Sequence, residues 1–179
     1  MLCGGLKRTI SMVDNMIGCE TLKVFQLRAA RSTLGLGVRD IGAYIDLSRS
    51  TISKIERMDI NVDLNITQEQ NRILIRIFND KGVFFPDENT VLYKDLDHNN
   101  KQLLTRFQLR GSRAILGLTQ RELAEILYIE KKVLTYLEGL PNSAYIATTN
   151  TDLIHSKFKN FFDGNSITFP NNGIISLKH

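Results

Sequence analysis

The sequence predicts a mainly α-helical chain made of two tandem copies of one small domain, each with four to five helices and a small terminal β-hairpin. Three observations support this fold class. The segment from Phe25 to Glu56 returns from Phe107 to Glu138 without a gap, at an offset of 82 residues and with ten identities. Apolar residues recur at helical spacing in both segments. Each copy then closes on an alternating apolar segment around a turn.

The repeat also predicts the division of the chain. Its period exceeds the roughly 20 to 50 residues of solenoid repeats, so each copy is expected to be a domain with its own core. We place an N-terminal leader at residues 1–19, the first domain at 20–93, a linker at 94–100 and the second domain at 101–179. No segment resembles a membrane span or a signal peptide, which favours a cytoplasmic protein.

The positive charge is concentrated on the repeated segments. The chain has a net charge of +4, and lysine and arginine exceed aspartate and glutamate by three over residues 22–56 and by two over 104–138. Residues 57–103 instead carry an acidic excess of two. This distribution suits a surface that binds phosphates, although solvated helix faces have similar small excesses.

Within the first copy, the pattern predicts three short helices. Leu27 and Leu34 lie on the apolar stripe of the first, which Gly35 should end in a left-handed conformation. The second begins near Val38, and a tight turn leads to the third at Arg49–Arg57. Gly42 is the small residue that two closely crossing helices require. We expect Leu34 and its partner Leu116 to be buried.

The rest of each copy is predicted in the same way. Thr119 and Thr67 each begin a capping box, and the latter opens a fourth helix to about Asp80. Its counterpart runs from about Thr151 to Phe162. Hairpins are expected at residues 83–93 and 167–177, and their short apolar strands should pair across the copies or with a second chain.

These segments resemble the Xre/Cro-repressor family of helix-turn-helix proteins, whose lambda-repressor-like domains carry the pattern "LRxARxxLGLTQxELAxxLxISxxTLSxIE". The resemblance implies a DNA-reading third helix in each copy, with leading residues that reach base edges in the major groove. The implied DNA-binding positions are Arg39, Arg49, Ser50, Thr51, Ser53 and Lys54 in the first copy, and Gln120, Arg121, Lys131, Lys132, Thr135 and Tyr136 in the second. The chain departs from the pattern at Val38, which replaces the usual glutamine, and at Glu130, which replaces a serine.

Further arginines are shared by both copies. We expect Arg28 and Arg110 to form structural ion pairs with Glu56 and Glu138, the residues that end the third helices.

The sequence therefore predicts a non-enzymatic, sequence-specific regulator of transcription that binds double-stranded DNA, without a metal or cofactor. His98, His155 and His179 have no metal-ligand spacing, and no nucleotide-binding glycine motif is present. Two arrangements stay open: one chain supplies both reading heads to an asymmetric site, or a homodimer reads a palindrome with one head per chain. The alternative function is a protein-interaction module, such as an antirepressor or adaptor, that keeps the fold with little base readout.

Overall fold

The computed structural model describes residues 20–94, 96, 103–146 and 151–178. This part of the chain is mainly helical, with one small antiparallel sheet. Its elements in the first copy are α1 Val24–Thr33, α2 Val38–Tyr44, α3 Arg49–Ile55, α4 Gln68–Asp80, β1 Val83–Phe84 and β2 Thr90–Tyr93. Those in the second copy are α5 Arg106–Ile115, α6 Gln120–Leu127, α7 Lys131–Gly139, α8 Thr151–Gly164, β3 Ile167–Thr168 and β4 Ile174–Leu177.

The two copies repeat the same hydrogen bonds as well as the same elements. The Val24 amide donates to the Val62 carbonyl at 3.0 Å, and its counterpart on Arg106 donates to Ala144 at 2.9 Å. Equivalent residues differ by 82 as far as Ile146 and by 84 from His155 onward. In the described residues, a series of four helices and two strands thus occurs twice in the same order.

Local signals in the sequence fix the connection between the first three helices of each copy. Gly35 and Gly117 have φ angles of +71° and +69°, as predicted for residues that end a helix in the left-handed region. A Cβ atom on Gly42 would overlap the carbonyl oxygen of Leu47, so the first copy has no room for a side chain there, whereas the second copy has Ala124 at the equivalent position. The capping boxes at Thr67 and Thr119 are also confirmed.

The sheet joins the two copies. Its strand order is β1-β2-β4-β3, and β2 runs antiparallel to β4 with Val91 opposite Ile175. These two residues are equivalent in the repeat, so an approximate two-fold axis passes between them. The predicted pairing of hairpins across the copies is confirmed, and both central strands are thereby covered.

The helices α1 and α5 pack against each other across this approximate two-fold axis. Gly111 permits this close approach, because a Cβ atom there would meet side-chain atoms of Thr33 and Ile175. The buried apolar residues of both copies form one continuous cluster. The prediction of a separate core for each copy is therefore wrong: a repeat specifies two equal units, but their apolar faces here cover each other.

Two leucines at the ends of α1 and α5 are less buried than predicted. Leu34 and Leu116 are half-buried, not buried, because each is the C-cap residue just beyond the last turn of α1 or α5. The leader at 1–19 lies outside the described residues, as does the linker at 94–100 apart from Lys94 and Leu96. No helix in the described ranges has the length and apolar character to cross a membrane.

Candidate nucleic-acid interface

The helix α3 begins on a network of hydroxyl groups. Ser48 is its N-cap residue, and its Oγ accepts a hydrogen bond of 3.1 Å from the amide of Thr51. The Ser48 Oγ also lies 2.7 Å from Ser50 Oγ and 2.9 Å from Thr51 Oγ1. The predicted contact residues Ser50 and Thr51 thus share hydrogen bonds with the cap while lying at the leading turn of the helix.

The outer face of the first copy carries unpaired cations. Ile52 and Ile55 bury one face of α3, and Arg49 and Lys54 are exposed on the other. Arg39, near the start of α2, is exposed too. These three cations make no hydrogen bond or ion pair with any residue that the structure describes. Ser53, the remaining predicted residue of this copy, is half-buried.

Two cations near the leading turns of α6 and α7 in the second copy are paired. Lys132 Nζ lies 2.7 Å from a carboxylate oxygen of Glu130, and Arg121 Nε lies 2.7 Å from one of Glu125. The hydrogen bond that Lys132 donates to Glu130 raises the pKa of Lys132. Both pairs are on the surface and contribute little to stability, but they reduce the positive charge at the leading turns of α6 and α7. Lys131 is exposed without a partner in the described segments.

Two more of the predicted contact residues are engaged within the second copy. Gln120 Nε2 donates to Glu138 Oε2 at 3.0 Å, and Gln120 Oε1 accepts from Thr135 Oγ1 at 3.0 Å. The first copy has Val38 and Ser53 at these places and lacks this network. Gln120 and Thr135 therefore have to exchange existing partners before either binds a phosphate or a base.

The arginine pairing differs from the prediction. The carboxylate of Glu56 is paired with Arg31 at 2.5 Å, and that of Glu138 with Arg113 at 2.5 Å. Arg28 instead donates to two backbone carbonyls, those of Glu56 and, across the copies, of Ile115 at 2.8 Å. The expected pairs of Arg28 and Arg110 with the glutamates are thus wrong. The packing of α1 on α5 brings the free carbonyl end of one helix to Arg28 of the other.

In the second copy, Arg106 makes the backbone hydrogen bonds that Arg28 makes in the first, although the sequence did not single it out. Arg106 is 7% exposed and donates to the carbonyls of Glu138 at 3.0 Å and Thr33 at 2.6 Å. Burial lowers its pKa to about 10, so it remains charged near neutral pH. Arg110, which is the sequence equivalent of Arg28, is displaced, and its buried Nε has no partner among the described atoms. The only sequence signal was an arginine where the first copy has Val24.

The second copy has a different exposed surface, which we call the aromatic patch. Its members are Ile126, Tyr128, Tyr136 and Leu153, which are 44%, 91%, 64% and 57% exposed. Their equivalents in the first copy are Tyr44, Asp46, Lys54 and Glu69. Three charged residues are thus replaced by apolar or aromatic ones, including the predicted contact residue Tyr136. The two copies present chemically different surfaces on the same elements.

Comparisons with models of protein families, with curated proteins and with solved structures found no match for this chain. Among the residues that the structure describes, no group of three or more histidine, cysteine, aspartate or glutamate side chains could hold a metal ion.

Proposed function

We propose that the protein is a sequence-specific, double-stranded DNA-binding regulator of transcription with two linked helix-turn-helix heads of the Xre/Cro type. The first copy is its principal reading head. The observation that carries this proposal is the unpaired Arg49 at the exposed leading turn of α3. At the matching surface of the second copy, Lys132 and Gln120 are paired or engaged, and Lys131 takes the place of Arg49.

The chemistry of α3 fits this role. A helix fits the major groove, and an arginine on its leading turn can offer two parallel N–H donors to guanine O6 and N7. Lys54 and Arg39 are exposed beside it and have no carboxylate partner in the described part, so their charge is available to phosphates. Ile52 and Ile55 hold the inner face of the helix in the core.

The approximate two-fold axis affects which symmetry of DNA site the protein would bind. It relates α3 to α7, as a dimeric DNA-binding protein relates its two recognition helices. Since α3 and α7 differ in sequence, a single chain with both heads engaged would prefer an asymmetric site. Pairing of two chains through their second copies would instead present two α3 helices to a palindrome.

The proposal is tested by titrating labelled random duplex with the full chain at several salt concentrations. Binding by phosphate neutralisation predicts a linear fall of log K with log salt, with a slope of about −0.9 for each phosphate contact. Selection of bound sequences from a random pool should then return a defined motif. A chain that binds no duplex at low salt contradicts the proposal.

The second candidate function is a protein-interaction module, and the aromatic patch is the observation that favours it. Tyrosines are enriched at protein interfaces, and here both exposed tyrosines replace charged residues of the first copy. A chain that acts in this way would bind a regulator or RNA polymerase through its second copy. Substitution of Tyr128 and Tyr136 by serine would then abolish the regulatory effect, while duplex binding would be weak or absent from the start.

A further inference from the structure

A groove between the two copies, which we call the inter-copy groove, is lined mainly by polar side chains. It has a volume of about 480 Å³ and lies between the last turn of α3 and the end of α5. Four arginines line it, Arg28, Arg31, Arg57 and Arg113, against one acid, Glu56. Its size is within the range of about 300 to 1,000 Å³ typical of small-molecule sites. Its net positive lining selects for an anion.

The arginines of the groove differ in how much of their charge is already used. Arg31 and Arg113 pair with Glu56 and Glu138. The three hydrogen bonds of Arg28 go to neutral backbone carbonyls, and its charge interacts with nearby Glu56 and Asp59 without a direct ion pair. Arg57 is exposed and has no side-chain partner in the described segments. The groove thus holds guanidinium groups with donors to spare, since each has five N–H groups.

Arg110 adds a second, independent observation beside the groove. Its Nε is buried without a hydrogen-bond partner in the described part, and its charge is attracted by that of Glu138 and repelled by those of Arg113 and Arg31. Burial is the main cause that lowers the pKa of both Arg28 and Arg110. Withdrawing water from neighbouring cations is unfavourable, and a bound anion would offset that cost.

We propose that the inter-copy groove binds a small phosphorylated molecule, with Arg57 as its principal ligand. A phosphate group suits the site because guanidinium groups bind its oxygens through paired, charge-assisted hydrogen bonds. Ser53 also lines the groove and lies on α3, so the ligand would contact the helix that carries Arg49. The proposal concerns ligand binding and does not depend on whether the protein binds DNA.

The test uses calorimetric titration of the full chain at constant ionic strength, without DNA. The probes are pyrophosphate and adenosine 5′-monophosphate, with adenosine as the uncharged control. We expect saturable 1:1 binding of the phosphorylated probes and none of adenosine. Arg57→Gln should weaken binding by about 10-fold or more, the effect of losing a charge-assisted hydrogen bond. Arg76→Gln, which removes an exposed charge on α4 away from the groove, should leave binding unchanged.

A second variant separates binding from folding. Arg110→Met removes a guanidinium without hydrogen-bond partners among the described residues, so the unfolding temperature should not fall. Its affinity for pyrophosphate should fall about threefold or more, because a nearby positive charge is lost. The proposal is wrong if no phosphorylated probe saturates, or if neither variant changes the affinity. It is also wrong if duplex DNA alone binds in a manner that depends on Arg57, since the groove then contacts the DNA backbone.

Discussion

At the scale of single residues, the repeat allows each side chain to be judged against its equivalent. Asp46 and Tyr128 occupy the same turn between the second and third helices, and their φ angles are +52° and +53°. Aspartate adopts this left-handed conformation with local hydrogen bonds, whereas a tyrosine is an outlier there. Tyr128 is 91% exposed, so packing does not explain its presence. A strained and exposed aromatic residue would suit the second candidate function, in which the second copy binds a protein.

Tyr128→Gly should therefore stabilise the protein, by about 1 kcal/mol, because glycine has no Cβ atom to strain the left-handed conformation. Chemical denaturation measures the change. The control is Tyr128→Ala, which loses the same ring but keeps the Cβ atom and should gain much less. Equal stability of the glycine and alanine variants would show that the backbone at this turn is unstrained.

The sequence did not predict the arginine–glutamate pairs correctly, because two arginines on the same helix face could each reach the glutamate. Arg28 and Arg31 are separated by about one turn of α1, and either has the length to reach the end of α3. In both copies the second of the two arginines meets the glutamate: Arg31 pairs with Glu56 and Arg113 with Glu138. Local spacing does not contain this choice.

At the scale of elements, the sequence predicted most of the structure. The fourth helices begin and end within about two residues of their expected limits, and the hairpins lie where the alternating segments put them. Capping boxes and turn glycines are local signals, so they can be recognised in a sequence without knowledge of the tertiary structure. The free or engaged state of a candidate contact residue, such as Gln120, depends on α7 and could not be predicted.

The turn between α2 and α3 should tolerate no side chain at Gly42. Gly42→Ala should destabilise the protein by about 1 to 3 kcal/mol, the usual cost of overpacking, because its Cβ atom would overlap the Leu47 carbonyl. The matched control is Gly139→Ala in α7, where a Cβ atom meets nothing within 4 Å. That substitution should be neutral or stabilising by up to about 1 kcal/mol. Thermal unfolding of both variants checks the contrast, which equal losses would refute.

At the scale of the whole molecule, the two copies should behave as one cooperative unit. A duplicated sequence predicts two domains, but it does not contain their relative orientation, and here a shared sheet and a continuous core join them. Ile175 is fully buried opposite Val91 at the centre of that sheet. The pairing of hairpins across the copies was predicted from their short apolar strands, but the packing of α1 on α5 has no signal in either copy alone.

Ile175→Ala should cost about 2 to 5 kcal/mol and affect both copies. Native-state hydrogen exchange is the measurement: the protection of slowly exchanging amides in α1 and α5 should fall by the same free energy, because both open with the global transition. A loss of protection confined to α5 and α8 would mean that the second copy unfolds by itself.

The central proposal is that α3 reads the DNA sequence. One set of duplex titrations tests this most directly. The wild-type chain, Arg49→Ala, Lys132→Ala and the control Arg76→Ala are titrated with the selected sequence and with a scrambled duplex at several salt concentrations. Arg49→Ala should lose about 1 to 3 kcal/mol on the selected sequence and relax its base preference. Lys132, which is paired with Glu130, should affect both duplexes alike and lower the salt slope by about one at most. If Arg49→Ala keeps both the affinity and the sequence preference of the wild type, α3 is not the reading helix.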